Sequence, residues 1–207
     1  MLSELVFPKR CLGCSKLGEI LCLVCLRNWK HEVLITHVAG LKVYSTIIYT
    51  PVASRVLLAA KENGIKVADE LVVSALGLSL SRAVKDLGSN LVVVPIPSQK
   101  QAVRVRGRNF NLEVVQRAAK VQAIPVRQLL GHVRRVKDQS TLDAQSRRLN
   151  VHHSLALLDN PLRSREVILA DDLVTTGSTL IEATRALRAG QIAVLAAITA
   201  CVAEPLR

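Results

Sequence analysis

Hydrophobic positions along this chain have two textures. Short, nearly unbroken apolar runs occur at 43–50 (VYSTIIYT), 91–97 (LVVVPIP), 125–130 (PVRQLL), 165–172 (REVILADD) and 192–202 (IAVLAAITACV). Between them, apolar residues return every three or four positions, the period of a helix. Thr50-Pro51 opens one such stretch and Gly64 closes it, a second runs over 66–87 up to Gly88, a third covers 109–122, and a fourth covers 178–189 up to Gly190. Apolar strands without alternation, separated by helices, predict an α/β fold whose parallel sheet is covered on both faces. The stretch 131–154 is polar and has no clear period, which suits a loop that closes over a site. No repeat or low-complexity linker interrupts the pattern. The longest apolar run, Ala193 to Ala203, is far short of the roughly 18 residues of a membrane span and reads as a buried strand. The first residues lack a charged start followed by a long apolar stretch, so no secretory signal is expected, nor membrane insertion, and a cytoplasmic location is the expectation.

Composition changes this picture in two ways. The 207 residues suit one domain and a small appendage, and 28 Lys/Arg against 16 Asp/Glu give a formal charge of +12. That excess points to polyanionic partners. Aromatic residues make up only 2% of the chain, which disfavours a binder that stacks single-stranded bases on aromatic platforms. The appendage is marked by cysteine. Cys11, Cys14, Cys22 and Cys25 form two CxxC pairs separated by seven residues. Two such knuckles can supply four thiolates to one tetrahedral metal, and a set of four protein ligands is closed, hence structural. Structural zinc is the expectation, with a pair of disulfides as the alternative. Cys201, alone in an apolar run, reads as a core residue, and the five histidines form no ligand cluster.

The segment from Val167 to Leu180 carries the most specific chemistry. A hydrophobic strand delivers Asp171 and Asp172 to its carboxyl end, and the small, hydroxyl-rich turn Thr175-Thr176-Gly177-Ser178-Thr179 then opens a helix. Backbone N–H groups at such a helix start, with Thr and Ser hydroxyls, can cradle a monophosphate. Ligands of open parallel sheets bind at this edge. The two acids lie where ribose hydroxyls would fall if the phosphate were a 5′-phosphate.

This segment closely resembles the phosphoribosyl-pyrophosphate (PRPP) motif of type I phosphoribosyltransferases. The resemblance implies that Asp171 and Asp172 bind the ribose hydroxyls and that Thr175, Thr176, Gly177, Ser178 and Thr179 take the 5′-phosphate. Purine-salvage members usually carry an Asp where this chain has Thr175, so a purine acceptor is not expected. The remaining motifs resemble the ComF family, which joins a four-cysteine zinc module to a phosphoribosyltransferase-like domain. The counterparts are Pro95-Ile96-Pro97-Ser98, the segment Arg106 to Phe110, Gln139 with Leu142, Arg147 and Asn150, and Lys61 followed by Gly64. Arg108 and Phe110 replace the family's usual Phe and Gln, and Leu155 stands where Phe is common. The implied organisation is a zinc module over 1–32 and a transferase-like domain over 40–207.

Between Lys100 and Arg165 there are fourteen Lys/Arg and four Asp/Glu, a net +10, so most of the surplus flanks the phosphate motif. PRPP brings a 5′-phosphate and a pyrophosphate whose charge must be neutralised. Pro97 and Ser98 in a wrapping loop, with Arg104, Arg106 and Arg147, are the candidates for the pyrophosphate. The resemblance implies displacement of pyrophosphate at ribose C1 with magnesium, with Asp171 and Asp172 as the catalytic acids; no residue stands out as a base for the acceptor. The alternative, also implied by the ComF resemblance, is an accessory protein of DNA uptake, with the basic window as a path for single-stranded DNA and the zinc module docking other uptake proteins. A weaker third reading is a PRPP sensor that has lost its chemistry. A glutamine amidotransferase is disfavoured, because there is no room for a glutaminase domain and no cysteine follows Met1.

Overall fold

A computed structural model describes residues 9–29, 32–134, 151–158, 166–204 and 206. In chain order the elements are α1 (Leu23–Arg27), β1 (Leu34–Val38), β2 (Leu41–Ile48), α2 (Pro51–Lys61), α3 (Lys66–Leu87), β3 (Leu91–Pro95), α4 (Lys100–Arg106), α5 (Phe110–Lys120), β4 (Leu130–His132), β5 (Leu155–Leu157), β6 (Glu166–Val174), α6 (Ser178–Ala189) and β7 (Val194–Val202). Five strands form one sheet in the order β1-β2-β7-β6-β3. All pairs are parallel except β1–β2, which is an antiparallel hairpin. Val126 extends the far side of β3 by a single parallel bridge to Val93.

The central strands are apolar on both faces because both faces are covered. On one side Leu91, Val93, Ile168, Ala170, Ala196 and Ile198 meet α2, α3 and α5. On the other, Val92, Val94, Val167, Leu169 and Ala197 meet α6 and the β4–β5 hairpin. Each fully buried Val or Ile contributes about 1.5–3 kcal/mol, so these two layers dominate stability. Trp29, 1% exposed, belongs to the first layer, and Leu12 and Leu21 pack against it, so the cysteine-rich segment shares the main core.

The helix boundaries follow from their caps. Thr50 accepts a hydrogen bond from the Ala53 N–H at 3.2 Å, and Pro51 occupies the first turn of α2. Asn109 caps α5 by accepting from Leu112 N at 3.4 Å. The expected helices over 66–87 and 178–189 are found with those limits. Three elements differ from expectation. β1 adds an antiparallel edge strand that the apolar runs do not announce. Residues 100–106, which the apolar pattern does not mark as a helix, form α4, ended by Gly107 at φ +70°. The 125–130 run is not one strand. Pro125 and Arg127 bond to Val93, and Leu130 begins a separate hairpin with β5, whose two strands bracket the stretch that reads as aperiodic.

A buried row of hydroxyls crosses the sheet. Ser45 of β2 and Asp171 of β6 both pair with Thr199 of β7, and Ser45 Oγ lies 2.7 Å from Thr199 Oγ1. Ser79 of α3 donates to the Thr199 carbonyl at 2.8 Å, and Thr46 donates to the Ala75 carbonyl at 2.7 Å.

Candidate functional site

β3 and β6 run side by side only as far as Pro95 and Ala170, after which Ile96 N bonds to the Ala170 carbonyl at 2.8 Å and the strands part. From Asp171 onward β6 pairs, among the described residues, only with β7. After β3 the chain moves outward to Val126, then returns on the other side of β3 as β6. That reversal opens a crevice at the carboxyl ends of the strands, where such sheets bind ligands. Asn111 of α5, buried at 4% exposure, pins its rim by donating to the carbonyls of Ile96 (2.9 Å) and Ala170 (3.2 Å).

Asp171 and Asp172 stand at the crevice on opposite faces of β6, as the two-residue strand period requires. Asp172 is 7% exposed, and its Oδ2 lies 2.6 Å from Lys61 Nζ at the end of α2. Burial opposes the charge of Asp172, but the Lys61 ammonium outweighs it and holds the carboxyl below its usual range. Asp171 accepts the backbone N–H of Asp172 at 2.9 Å. Burial, then the adjacent Asp172 charge, pushes Asp171 well above the usual carboxylate range. The pair therefore favours a single negative charge, on Asp172, facing one ammonium. Lys61 was within reach of sequence reasoning only as part of a family pattern; its partner lies 111 positions away.

Beyond Val174 the chain turns through Thr175, Thr176 and Gly177 into α6. Thr176 Oγ1 lies 2.8 Å from Ser178 Oγ and accepts the Ser178 N–H at 3.3 Å, which fixes the turn. Gly177 has φ +71°, and a Cβ there would come within 2.2 Å of Val38 Cγ1 on β1. The hairpin missed in the sequence thus roofs the loop and leaves no space for any residue but glycine. Thr175 and Thr179 are half-buried, while Thr176, Gly177 and Ser178 are buried. The first-turn N–H groups of a helix have no intrahelical acceptors, so this end of a twelve-residue helix is suited to an anion.

The other predicted residues are only partly gathered here. Pro97 and Ser98 follow β3 at the crevice rim, and the Pro97 carbonyl accepts from His132 Nε2 at 2.9 Å. Behind them lies a cavity of about 140 Å³ lined by Ile96, Ser98, Lys100, Asn109, Gln128 and His132, among others. Arg106 does not sit in a loop: α4 directs it onto Glu62, with Nε 2.8 Å from Oε2 and the second contact at 2.7 Å. Arg104 is exposed and has no partner among the described residues. Arg108 bridges Asp69 (2.8 Å) and Glu113 (2.7 Å) and lies over the Phe110 ring. With Arg117, which pairs with Glu70, three of the described arginines in the basic window are therefore engaged by carboxylates. Arg147, with Gln139, Leu142 and Asn150, lies outside the described residues.

The four N-terminal cysteines converge. Their Sγ atoms all lie within 4.8 Å of one another, and Cys14 and Cys22 are 3.6 Å apart. A tetrahedral zinc with bonds of about 2.3 Å needs sulfur pairs about 3.8 Å apart, so this set can hold such an ion with little adjustment. All four are thiols, not disulfides. Burial raises the Cys11 thiol, but backbone N–H groups, led by that of Cys22 at 3.3 Å, outweigh it and lower it to about 6. Ionised thiolate is the form that ligates metal. Gly13 is required in the knuckle, because a Cβ would meet Cys25 Sγ at 2.7 Å and Val52 Cγ1 at 3.0 Å.

No family model and no curated protein matches the sequence. Among solved structures, the chain is similar to orotate phosphoribosyltransferase from Aeropyrum pernix, at 16% identity over 85% of this chain and 78% of that one, with a TM-score of 0.41. It is also similar to an adenine phosphoribosyltransferase (12% identity, 70% and 75% coverage, TM-score 0.43) and to a hypoxanthine phosphoribosyltransferase from Staphylococcus aureus (16%, 88% and 73%, 0.35). Likenesses of this size carry no inference about chemistry, which rests on the residues of the site. Among the described residues no helix is long and apolar enough to cross a membrane.

Proposed function

We propose that this chain is a ComF-like protein that binds PRPP and transfers its phosphoribosyl group, with release of pyrophosphate, to an acceptor other than a purine base. The observation that carries the reading is the pair Asp171–Asp172 at the crevice, followed by the turn Thr175-Thr176-Gly177, whose glycine caps a helix N-terminus. In this reading the loop 175–179 takes the 5′-phosphate. Asp172, ionised, accepts from one ribose hydroxyl, and Asp171, which favours its protonated form, can accept from and donate to the other. Pro97, Ser98 and the exposed Arg104 are placed by the reading around the pyrophosphate. The acceptor forms its bond at C1 while the C1–oxygen bond to pyrophosphate breaks, the leaving group keeps the electron pair, and the acceptor proton passes to solvent. PRPP enters as its magnesium chelate, which lowers the charge that must depart. The cysteine cluster holds structural zinc, and 1–32 and 40–207 are the two functional segments.

Titration calorimetry with magnesium PRPP tests the reading. Wild type is expected to bind in the micromolar range and Asp172→Asn at least tenfold more weakly, with pyrophosphate released when an acceptor is supplied. Absence of binding by the folded wild-type protein overturns it.

A further inference from the structure

Lys61 takes no part in the reaction just described, yet it makes the shortest charged contact of the crevice, 2.6 Å to Asp172. The helix that carries it is gripped at its other end. Arg55 of α2 donates to the Gly13 carbonyl, inside the first cysteine knuckle, and Val52 fills the space beside Gly13 and Cys25. Between these points Val56, Leu57, Ala59 and Ala60 are buried in the core, so α2 cannot shift at one end alone. From Arg55 to Lys61 is six residues, about 9 Å of helix. The residue after Lys61 repeats the arrangement, since Glu62 holds Arg106 and so ties the same helix end to α4, just beyond the Pro97–Ser98 rim. A cation at a helix C-terminus is further favoured by the helix dipole.

We propose that Lys61 is a positioning residue of the ribose site, set against Asp172 by an α2 helix whose opposite end is seated on the four-cysteine module. The metal state of the cysteines therefore sets the affinity of the ribose site. Without metal the knuckle around Gly13 loosens, α2 loses its anchor at Arg55, and Lys61 no longer holds Asp172 in place. This rests on the PRPP reading, and the experiment keeps the two separable.

Calorimetry with magnesium PRPP is run on the full chain as wild type, Lys61→Arg, Lys61→Gln, Asp172→Asn and Lys61→Gln/Asp172→Asn. Lys61→Gln is expected to weaken binding at least tenfold and, because it leaves the buried Asp172 without its counter-charge, to lower the melting temperature while the protein stays folded at the assay temperature, and Lys61→Arg to stay within threefold. The double variant should be no weaker than Asp172→Asn alone. In parallel, amide hydrogen exchange over residues 57–62 is measured with metal, after chelation, and in Arg55→Met with its metal retained. Faster exchange after chelation and in Arg55→Met, with PRPP binding weakened at least fivefold, supports the coupling. Lys61→Gln binding within twofold of wild type, or unchanged exchange in both the chelated protein and Arg55→Met, overturns it. If wild type binds no PRPP, the functional reading fails and the exchange measurements decide the coupling alone.

Discussion

Gly177 gives the sharpest quantitative test of the phosphate loop. Replacing it by Ala imposes two separate costs. The left-handed backbone at φ +71° disfavours a Cβ by about 1–2 kcal/mol. The same Cβ would stand 2.2 Å from Val38 Cγ1 and 3.1 Å from Val38 Cβ, so Val38 must move as a whole in a buried site, at a cost of about 1–3 kcal/mol. The sum, about 2–5 kcal/mol, corresponds to a melting temperature lowered by roughly 5–15 °C for a chain of this size. The two costs are separated by a cycle with Val38→Ala, which alone costs about 1–3 kcal/mol as a buried truncation. Urea unfolding of Gly177→Ala, Val38→Ala and the double variant should show the double more stable than the sum of the singles by about 1–3 kcal/mol, the steric part only. Strict additivity, or a Gly177→Ala penalty below about 0.5 kcal/mol, would refute the argument that β1 roofs the loop.

Three further outcomes are expected. Asp171→Asn should raise the melting temperature of the unliganded protein at neutral pH by roughly 2–6 °C, because the fold raises this carboxyl and so disfavours its charge; the gain, read by calorimetry, should shrink as pH falls towards the ordinary carboxylate range, where the unfolded chain is protonated too. Glu182 behaves oppositely. Burial opposes its charge, but Arg185 and the Leu155 N–H hold it below its usual range, so its contribution is complete above about pH 4.5 and is lost as pH falls; Glu182→Gln should cost about 1.5–3 kcal/mol at pH 7 and flatten the acid limb of the stability profile. Cys14→Ser, at an exposed position that leaves the core intact, should lose its metal to a chelator that leaves wild type loaded, as measured by elemental analysis.

The α/β order was legible because the local signals agreed with the tertiary outcome. Thr50-Pro51, Gly88 and Gly190 mark helix limits, and unbroken Val and Ile runs mark strands buried on both faces. β1 was not legible: Leu34-Ile35-Thr36-His37-Val38 interleaves polar residues, as an edge strand with one half-exposed face does, and that looks like a loop. α4 was hidden because its cations suggested a ligand loop, whereas Arg106 is engaged by Glu62, 44 positions away. The aspartates and the hydroxyl turn are contiguous, so the sequence displays them as a motif. Lys61, Val38 and Asn111 reach the same crevice from distant elements, and no local period records such a meeting. The cysteine spacing announced a metal set but not its seat on α2, which depends on Gly13 and Arg55.

The hydroxyl row through Ser45 and Thr199 bears on folding fidelity. Strands that are apolar on both faces bury nearly the same area when slipped by one residue, so burial alone distinguishes such registers poorly. A slip of β6 by one position would nonetheless exchange the faces of Asp171 and Asp172 and turn the anionic carboxylate away from Lys61. Moving β7 by one position would strand the Thr199 and Ser45 hydroxyls in apolar surroundings, at about 1–3 kcal/mol for each group left unpaired. These few polar atoms therefore act as a proofreading mark, penalising compact misassembled sheets that hydrophobic collapse would tolerate and that could never assemble the site.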